Sequence, residues 1–239
     1  MFIPLYHGQE LKRIPFQLIT VGLIAFCVIV FAYQAEMHRP EFIAFLLRYG
    51  AIPSVVLGEN TLHPALNPFP PTLTLLSSMF LHGGWWHLTT NMVFLYFFGS
   101  MVEDAMGHWQ FLIFYLLCGV LATLLYVAGD NTSTAPLVGA SGAVSGVIIA
   151  YLALHPRVKL WGLAFGTIPL KLPVWVFVGG WIALQFYSAF TDSEQKLDGN
   201  QVAWLAHVGG LIAGAVLLPF FKRPDIKLFQ RSSDDDEQH

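Results

Sequence analysis

Six stretches of this chain, roughly 16–34, 84–102, 109–128, 138–154, 172–190 and 202–221, approach the ~20 apolar residues a helix needs to cross a bilayer. The hydrocarbon interior offers the backbone no water, and a helix satisfies its own amides within one segment. The expected fold is therefore an all-α membrane protein with six transmembrane helices. The fourth stretch is short, so its helix must begin or end below the membrane surface. Only 11% of the residues are charged, whereas a soluble domain carries about a quarter. Those charges cluster between the apolar stretches.

The 239 residues suffice for one bundle. Residues 1–14 read as a short cytoplasmic N-terminus, 15–222 as a single membrane domain, and 223–239 as a polar, disordered tail. A net charge of -3 gives no reason to expect a nucleic-acid partner. The first apolar stretch follows Lys12 and Arg13 and ends near Gln34 and Glu36 without a small-x-small site, so it is expected to remain as an anchor. Cys27 and Cys118 both lie in apolar runs and read as buried small hydrophobes.

The long connection at 35–83 is not plainly hydrophilic. Residues 41–57 suggest a helix lying in the interface, 67–71 a proline-rich break, and 72–81 a further apolar segment. The stretch 160–170 is apolar but holds two glycines and Pro169, and is expected to be re-entrant or interfacial. With the N-terminus inside, the inner segments hold Lys12, Arg13, Arg157, Lys159, Lys171, Lys222, Arg223, Lys227 and Arg231. The outer ones hold only Arg39, Arg48 and Lys196. That asymmetry places both termini in the cytoplasm. No internal repeat is evident, which weakens a transporter reading.

Polar side chains inside a span are costly and mark function. The second span opens on His82, His87 and Asn91, the fourth on Gly139-Ala140-Ser141-Gly142, and the sixth holds His207 ahead of Gly210 and Gly214. In the orientation above, all three spans run inward, so Ser141, His87, Asn91 and His207 share one depth in the outer third of the membrane. Gly142 and Gly146 on one helix, and Gly210 and Gly214 on the other, are four apart and permit close helix approach.

The chemistry this permits is acyl transfer. A serine hydroxyl needs a base to become a good nucleophile, and histidine suits that task. Ser141 begins a helix, where backbone N–H groups favour an oxyanion, and His87 and Asn91 can add donors. With no acid near His207 on its helix, a Ser141–His207 dyad is expected rather than a triad. Other readings stay open. The glycines and serine can simply pack helices, His87 and Asn91 can form an interhelical hydrogen bond, and His207 can ligate a metal or haem with His82 or His87. The sequence lacks HExxH, which argues against a zinc protease. Trp85, Trp86, Trp175, Trp181 and Trp204 read as interfacial anchors and packing.

Together these residues resemble the rhomboid family of intramembrane serine proteases over about residues 42–221. The nucleophile motif is GASG at 139–142. His82, His87 and Asn91 match an HxxxxHxxxN segment, and His207 with Gly210 and Gly214 looks like the family's histidine helix. Gly99, Glu103 and Gly107 continue the end of the second helix.

The resemblance implies a six-helix core and a serine–histidine dyad without metal or other cofactor. It implies oxyanion stabilisation by His87 and Asn91 and a structural role near the site for His82. The implied activity is endopeptidase cleavage of transmembrane protein substrates within the lipid bilayer, in a multi-pass protein of a prokaryotic cell membrane. A cap loop would fall at about 191–200, and the fifth helix would move for substrate. Some members place an aromatic one turn after the nucleophile, against the histidine; here that position is Ser145, which leaves open what holds His207. A catalytically silent binder of client helices is the alternative, and a histidine-based transporter or haem carrier a third reading.

Overall fold

The structure is a computed structural model that describes residues 2–6, 11–66, 69–164, 168–191 and 204–229. In chain order its elements are β1 (Phe2–Tyr6), α1 (Leu18–Ala35), α2 (Arg39–Tyr49), α3 (Pro53–Val56), α4 (Thr74–Ser77), α5 (Trp85–Met106), α6 (His108–Gly129), α7 (Ser141–Leu154), β2 (Lys159–Ala164), β3 (Ile168–Pro173), α8 (Val174–Thr191) and α9 (Trp204–Phe221). Each of the six apolar stretches is helical. By length and composition α1, α6 and α9 can cross a membrane, while α7 and the Val174–Leu184 part of α8 are shorter apolar helices. The 22-residue α5 mixes its apolar residues with His87, Asn91, Glu103 and Asp104.

The outer surface is apolar as well as the core. Ile113, Leu117, Leu121 and Leu124 recur every three or four residues along α6 and all are exposed, as are Ile29 on α1 and Val216 and Phe220 on α9. Such continuous apolar faces suit lipid, not water. Inside, α6, α7 and α9 pack on one another, α5 packs on α7, and α1 on α5. Phe98, Phe111, Phe114, Tyr115 and Tyr151 are fully buried there.

Glycine sets how closely α7 and α9 approach. A Cβ on Gly210 would overlap the Gly142 carbonyl oxygen, and one on Gly214 would lie 2.6 Å from the Gly146 Cα. On α6, Ala122 meets both helices: a Cβ on Gly142 would lie 2.7 Å from its Cβ, and one on Gly209 3.0 Å from its Cα.

At the other end of α5, two carboxylates hold the chain entering α1. Glu103 is fully buried and accepts from the N–H groups of Ile19 (2.9 Å) and Thr20 (2.8 Å) and from the Thr20 hydroxyl (2.7 Å). These backbone donors belong to the first turn of α1, which has no intrahelical acceptor for them. His108 Nδ1 lies 2.5 Å from the same carboxylate. Asp104 Oδ1 accepts from the N–H groups of Lys12, Arg13 and Ile14. Gly107 then turns the chain into α6 with φ of 93°, a region that favours glycine.

Several expectations need correction. The fold is not wholly α. The stretch at 160–170, read as re-entrant or interfacial, contains strands: β2 pairs antiparallel with β3, and β1 adds antiparallel to the other edge of β2. The alternation is short but clear: Leu160 is fully buried, whereas Trp161 is 46% exposed with Lys171 over its ring at 5.7 Å. Residues 2–6, within the segment read as a short N-terminus, are thus part of a sheet. The single interfacial helix read at 41–57 is two helices. The break falls at Gly50, where a Cβ would lie 2.6 Å from the Leu46 oxygen and 2.8 Å from Pro136.

The start of the tail also folds back. Arg223 N donates to Ala105 O, Phe229 N to Ala153 O, and Ile226 is buried. Arg13 pairs with Asp225 at 3.1 Å and, by that hydrogen bond, holds its carboxyl below the usual range. The expected cap loop, 192–200 of it, and the tail from 230 onward lie outside the described residues.

Candidate active site

The N-terminal ends of α5, α7 and α9 meet. Ser141 is the first residue of α7, reached through Gly139, whose φ of 125° a side-chain-bearing residue rarely adopts. The approach to it is pinned. Leu137 and Ala51 exchange two backbone hydrogen bonds, and Gly139 N donates to Ser78 O at 2.9 Å. The serine is thereby held at a helix start, where the first N–H groups lack intrahelical acceptors.

His207 sits in the first turn of α9, buried at 9% exposure, with Nε2 2.8 Å from the Ser141 Oγ. Two indoles flank its ring. Trp181 of α8 lies at 6.1 Å between centroids with the planes 33° apart, and Trp204 at 5.8 Å meets it edge-on at 86°. The sequence reads these two residues as interfacial anchors and packing; in the structure they pack against His207, from α8 and α9 and not from position 145 of α7. Ser145 itself donates to the Ser141 carbonyl at 2.7 Å. No sequence signal separates these two tryptophans from the exposed Trp85, Trp86 and Trp175.

His87, in the first turn of α5, faces Gly139. A Cβ on Gly139 would lie 2.7 Å from both Cε1 and Nε2 of His87, so this glycine also makes room for the imidazole. Nδ1 of His87 accepts from Gly83 N at 3.4 Å. Asn91 is buried and its side-chain N–H donates to the His87 carbonyl at 2.9 Å, within its own helix. His82 is fully buried, with its ring 5.2 Å from that of His87, edge to face. Beside Ser141, a small opening lined by Met79, Gly119, Thr123, Gly142 and Ala206 has room for about one water.

Ser141, His207, His87, Gly139, Gly142 and Gly210 therefore converge, and His82 backs the cluster. Gly214 lies one turn farther from it, at the α7–α9 contact. Among the described residues no group of three or more His, Cys, Asp or Glu side chains is placed to hold a metal.

Residues 71–224 match the family model described as the Rhomboid domain. The chain belongs to the rhomboid family. It is 41% identical over 160 residues to Rhomboid-like protein 11, chloroplastic, of Arabidopsis thaliana, a match covering 63% of this chain and 52% of that protein. It is 30% identical over 160 residues to RHOMBOID-like protein 12, mitochondrial, of the same plant, covering 60% and 44%. It is also 30% identical over 142 residues to the human Presenilin-associated rhomboid-like protein, mitochondrial, covering 59% and 35%. The rhomboid chain thus spans about half or less of the length of these relatives, whose names place them in mitochondria or chloroplasts rather than in a prokaryotic membrane. The rhomboid domain takes in every candidate site residue, from His82 to Gly214.

Proposed function

We propose that this chain is an intramembrane serine endopeptidase that hydrolyses peptide bonds in or near transmembrane segments of other membrane proteins. The observation that carries this reading is the 2.8 Å separation of the Ser141 Oγ and the His207 Nε2. That is hydrogen-bond range for a hydroxyl proton moving to an imidazole.

The chemistry follows from the arrangement. Nε2 of His207 takes the proton as Ser141 Oγ attacks the scissile carbonyl carbon. The tetrahedral oxyanion forms beside the start of α7, where backbone N–H groups are directed, and beside Nε2 of His87. Because Nδ1 of His87 accepts from Gly83, Nε2 carries the ring hydrogen and can donate. Asn91 has a second side-chain N–H beyond the one bound to the His87 carbonyl. Protonated His207 then gives its proton to the departing amine, leaving an acyl ester on Ser141. Water, deprotonated by His207 in turn, hydrolyses that ester. No metal or cofactor enters any step.

The proposed setting is six membrane crossings with both termini on the cytoplasmic side, so that the site lies toward the outer face. The basic residues at the ends opposite the site, among them Arg157, Lys159, Lys171, Lys222 and Arg223, support that orientation. The test is incubation of the purified protein in lipid with a protein carrying one transmembrane segment, the products being mapped by mass spectrometry. A single new terminus, absent with Ser141→Ala, is expected. The same products, or none, from both proteins would overturn the proposal.

A further inference from the structure

Gln34 lies near the end of α1 and is fully buried. A buried amide in an apolar helix is unfavourable unless both of its halves are paired. Both are paired here, and with one residue. The Gln34 Oε1 accepts from His82 N at 3.2 Å, and its Nε2 donates to His82 O at 3.1 Å. The contact bridges 48 positions of sequence and grips the loop just before α5.

The peptide unit that carries the His82 carbonyl also carries the Gly83 N–H. The unit is planar and trans, so the two groups point in opposite directions. The carbonyl meets Gln34, and the N–H meets Nδ1 of His87 at 3.4 Å. The hydrogen bonds thus run from Gln34 through one peptide plane to the His87 ring. An imidazole that accepts at Nδ1 keeps its hydrogen on Nε2, and Nε2 is on the edge of His87 that faces Gly139, two residues before Ser141.

We infer that Gln34 is a positioning residue: by clamping the His82–Gly83 peptide it fixes the orientation and tautomer of His87, so that Nε2–H faces the oxyanion. The catalytic part of this inference rests on the proposed protease activity; the tautomer part does not. The outer ends of α1 and α5 also meet through Phe31 and Trp85, at 4.9 Å between ring centroids. That contact survives replacement of the amide.

The experiment compares wild type with Gln34→Met, which keeps length without polarity, and Gln34→Asn, one methylene too short to bridge. The full chain in bilayers, with nitrogen-15 histidine, is examined by solid-state NMR, and the His87 signals are assigned by their loss in His87→Ala. Wild type should show an unprotonated Nδ1 and a protonated Nε2, and both variants a mixture of tautomers. In the cleavage assay kcat should fall about tenfold with KM unchanged, less than the roughly 10²–10³-fold expected for removing an oxyanion donor. In a His87→Ala background Gln34→Met should cause no further loss. Unchanged nitrogen shifts in a folded variant, or an equal further loss without His87, would overturn the inference. If wild type does not cleave at all, the protease reading fails while the NMR arm still decides the role of Gln34. If Gln34→Met does not fold, Gln34→Asn carries the same test.

Discussion

Gly210 lies against the carbonyl of Gly142 so closely that no side chain fits between them. The contact is one turn past His207 on α9 and one residue past Ser141 on α7. It therefore sets the distance between the two groups proposed to share a proton. Gly210→Ala should destabilise the protein by about 1–3 kcal/mol through overpacking. It should also cut cleavage by more than about tenfold, because displacement by about 1 Å is costly in rate. Thermal unfolding and steady-state rates on the same preparation check both effects.

His87 and Asn91 are proposed to act as hydrogen-bond donors to the oxyanion. His87→Ala should lower kcat by about 10²–10³-fold and leave KM within about twofold, as for an interaction made chiefly in the transition state. Asn91→Ala should cost less, since its amide is bound to the His87 carbonyl in the structure. Steady-state kinetics on a peptide-reporter substrate measures both.

Trp181 and Trp204 are expected to hold the His207 ring in place of a neighbour on α7. Trp181→Ala should lower kcat by about tenfold while leaving the Ser141 hydroxyl in place, a modest fraction of what a direct catalytic group supplies. Trp181→Phe should restore most of the rate, and the comparison of the two variants is the check.

Glu103 is a stability determinant far from the chemistry. Glu103→Ala strands the Ile19 and Thr20 N–H groups and the Thr20 hydroxyl in a buried site. The expected loss is about 3–5 kcal/mol, the scale of removing one partner from a buried charged network. Denaturant or detergent unfolding measures it, and any folded fraction should keep a normal kcat.

Much of the architecture is legible from residue pattern, because long apolar runs favour helices of similar length. The helical stretches emerge within a few residues of their observed limits, and small residues at Gly142, Gly146, Gly210 and Gly214 mark the close α7–α9 contact. The expectation that Ser141 and His207 share one depth is compatible with the 2.8 Å contact between them.

The rest depends on information a single helix does not carry. Trp181 and Trp204 look like Trp175 in sequence, and only packing turns two of them toward His207. Gln34 reads as a polar flank until the fold brings the His82 peptide to it. The β1–β2–β3 sheet escapes notice because its strands are five or six residues long and its first strand is distant in sequence. Residues 223–229 read as a polar tail, yet backbone contacts to Ala105 and Ala153 draw them in.

The most direct test of the proposed dyad is covalent labelling of Ser141 by a fluorophosphonate in the folded, membrane-embedded protein, with the adduct located by mass spectrometry. The expected result is one adduct on Ser141 in wild type, with labelling reduced at least about a hundredfold in a folded His207→Ala protein. Equal labelling of Ser141 with and without the imidazole, or none in either protein, would contradict the shared-proton pair.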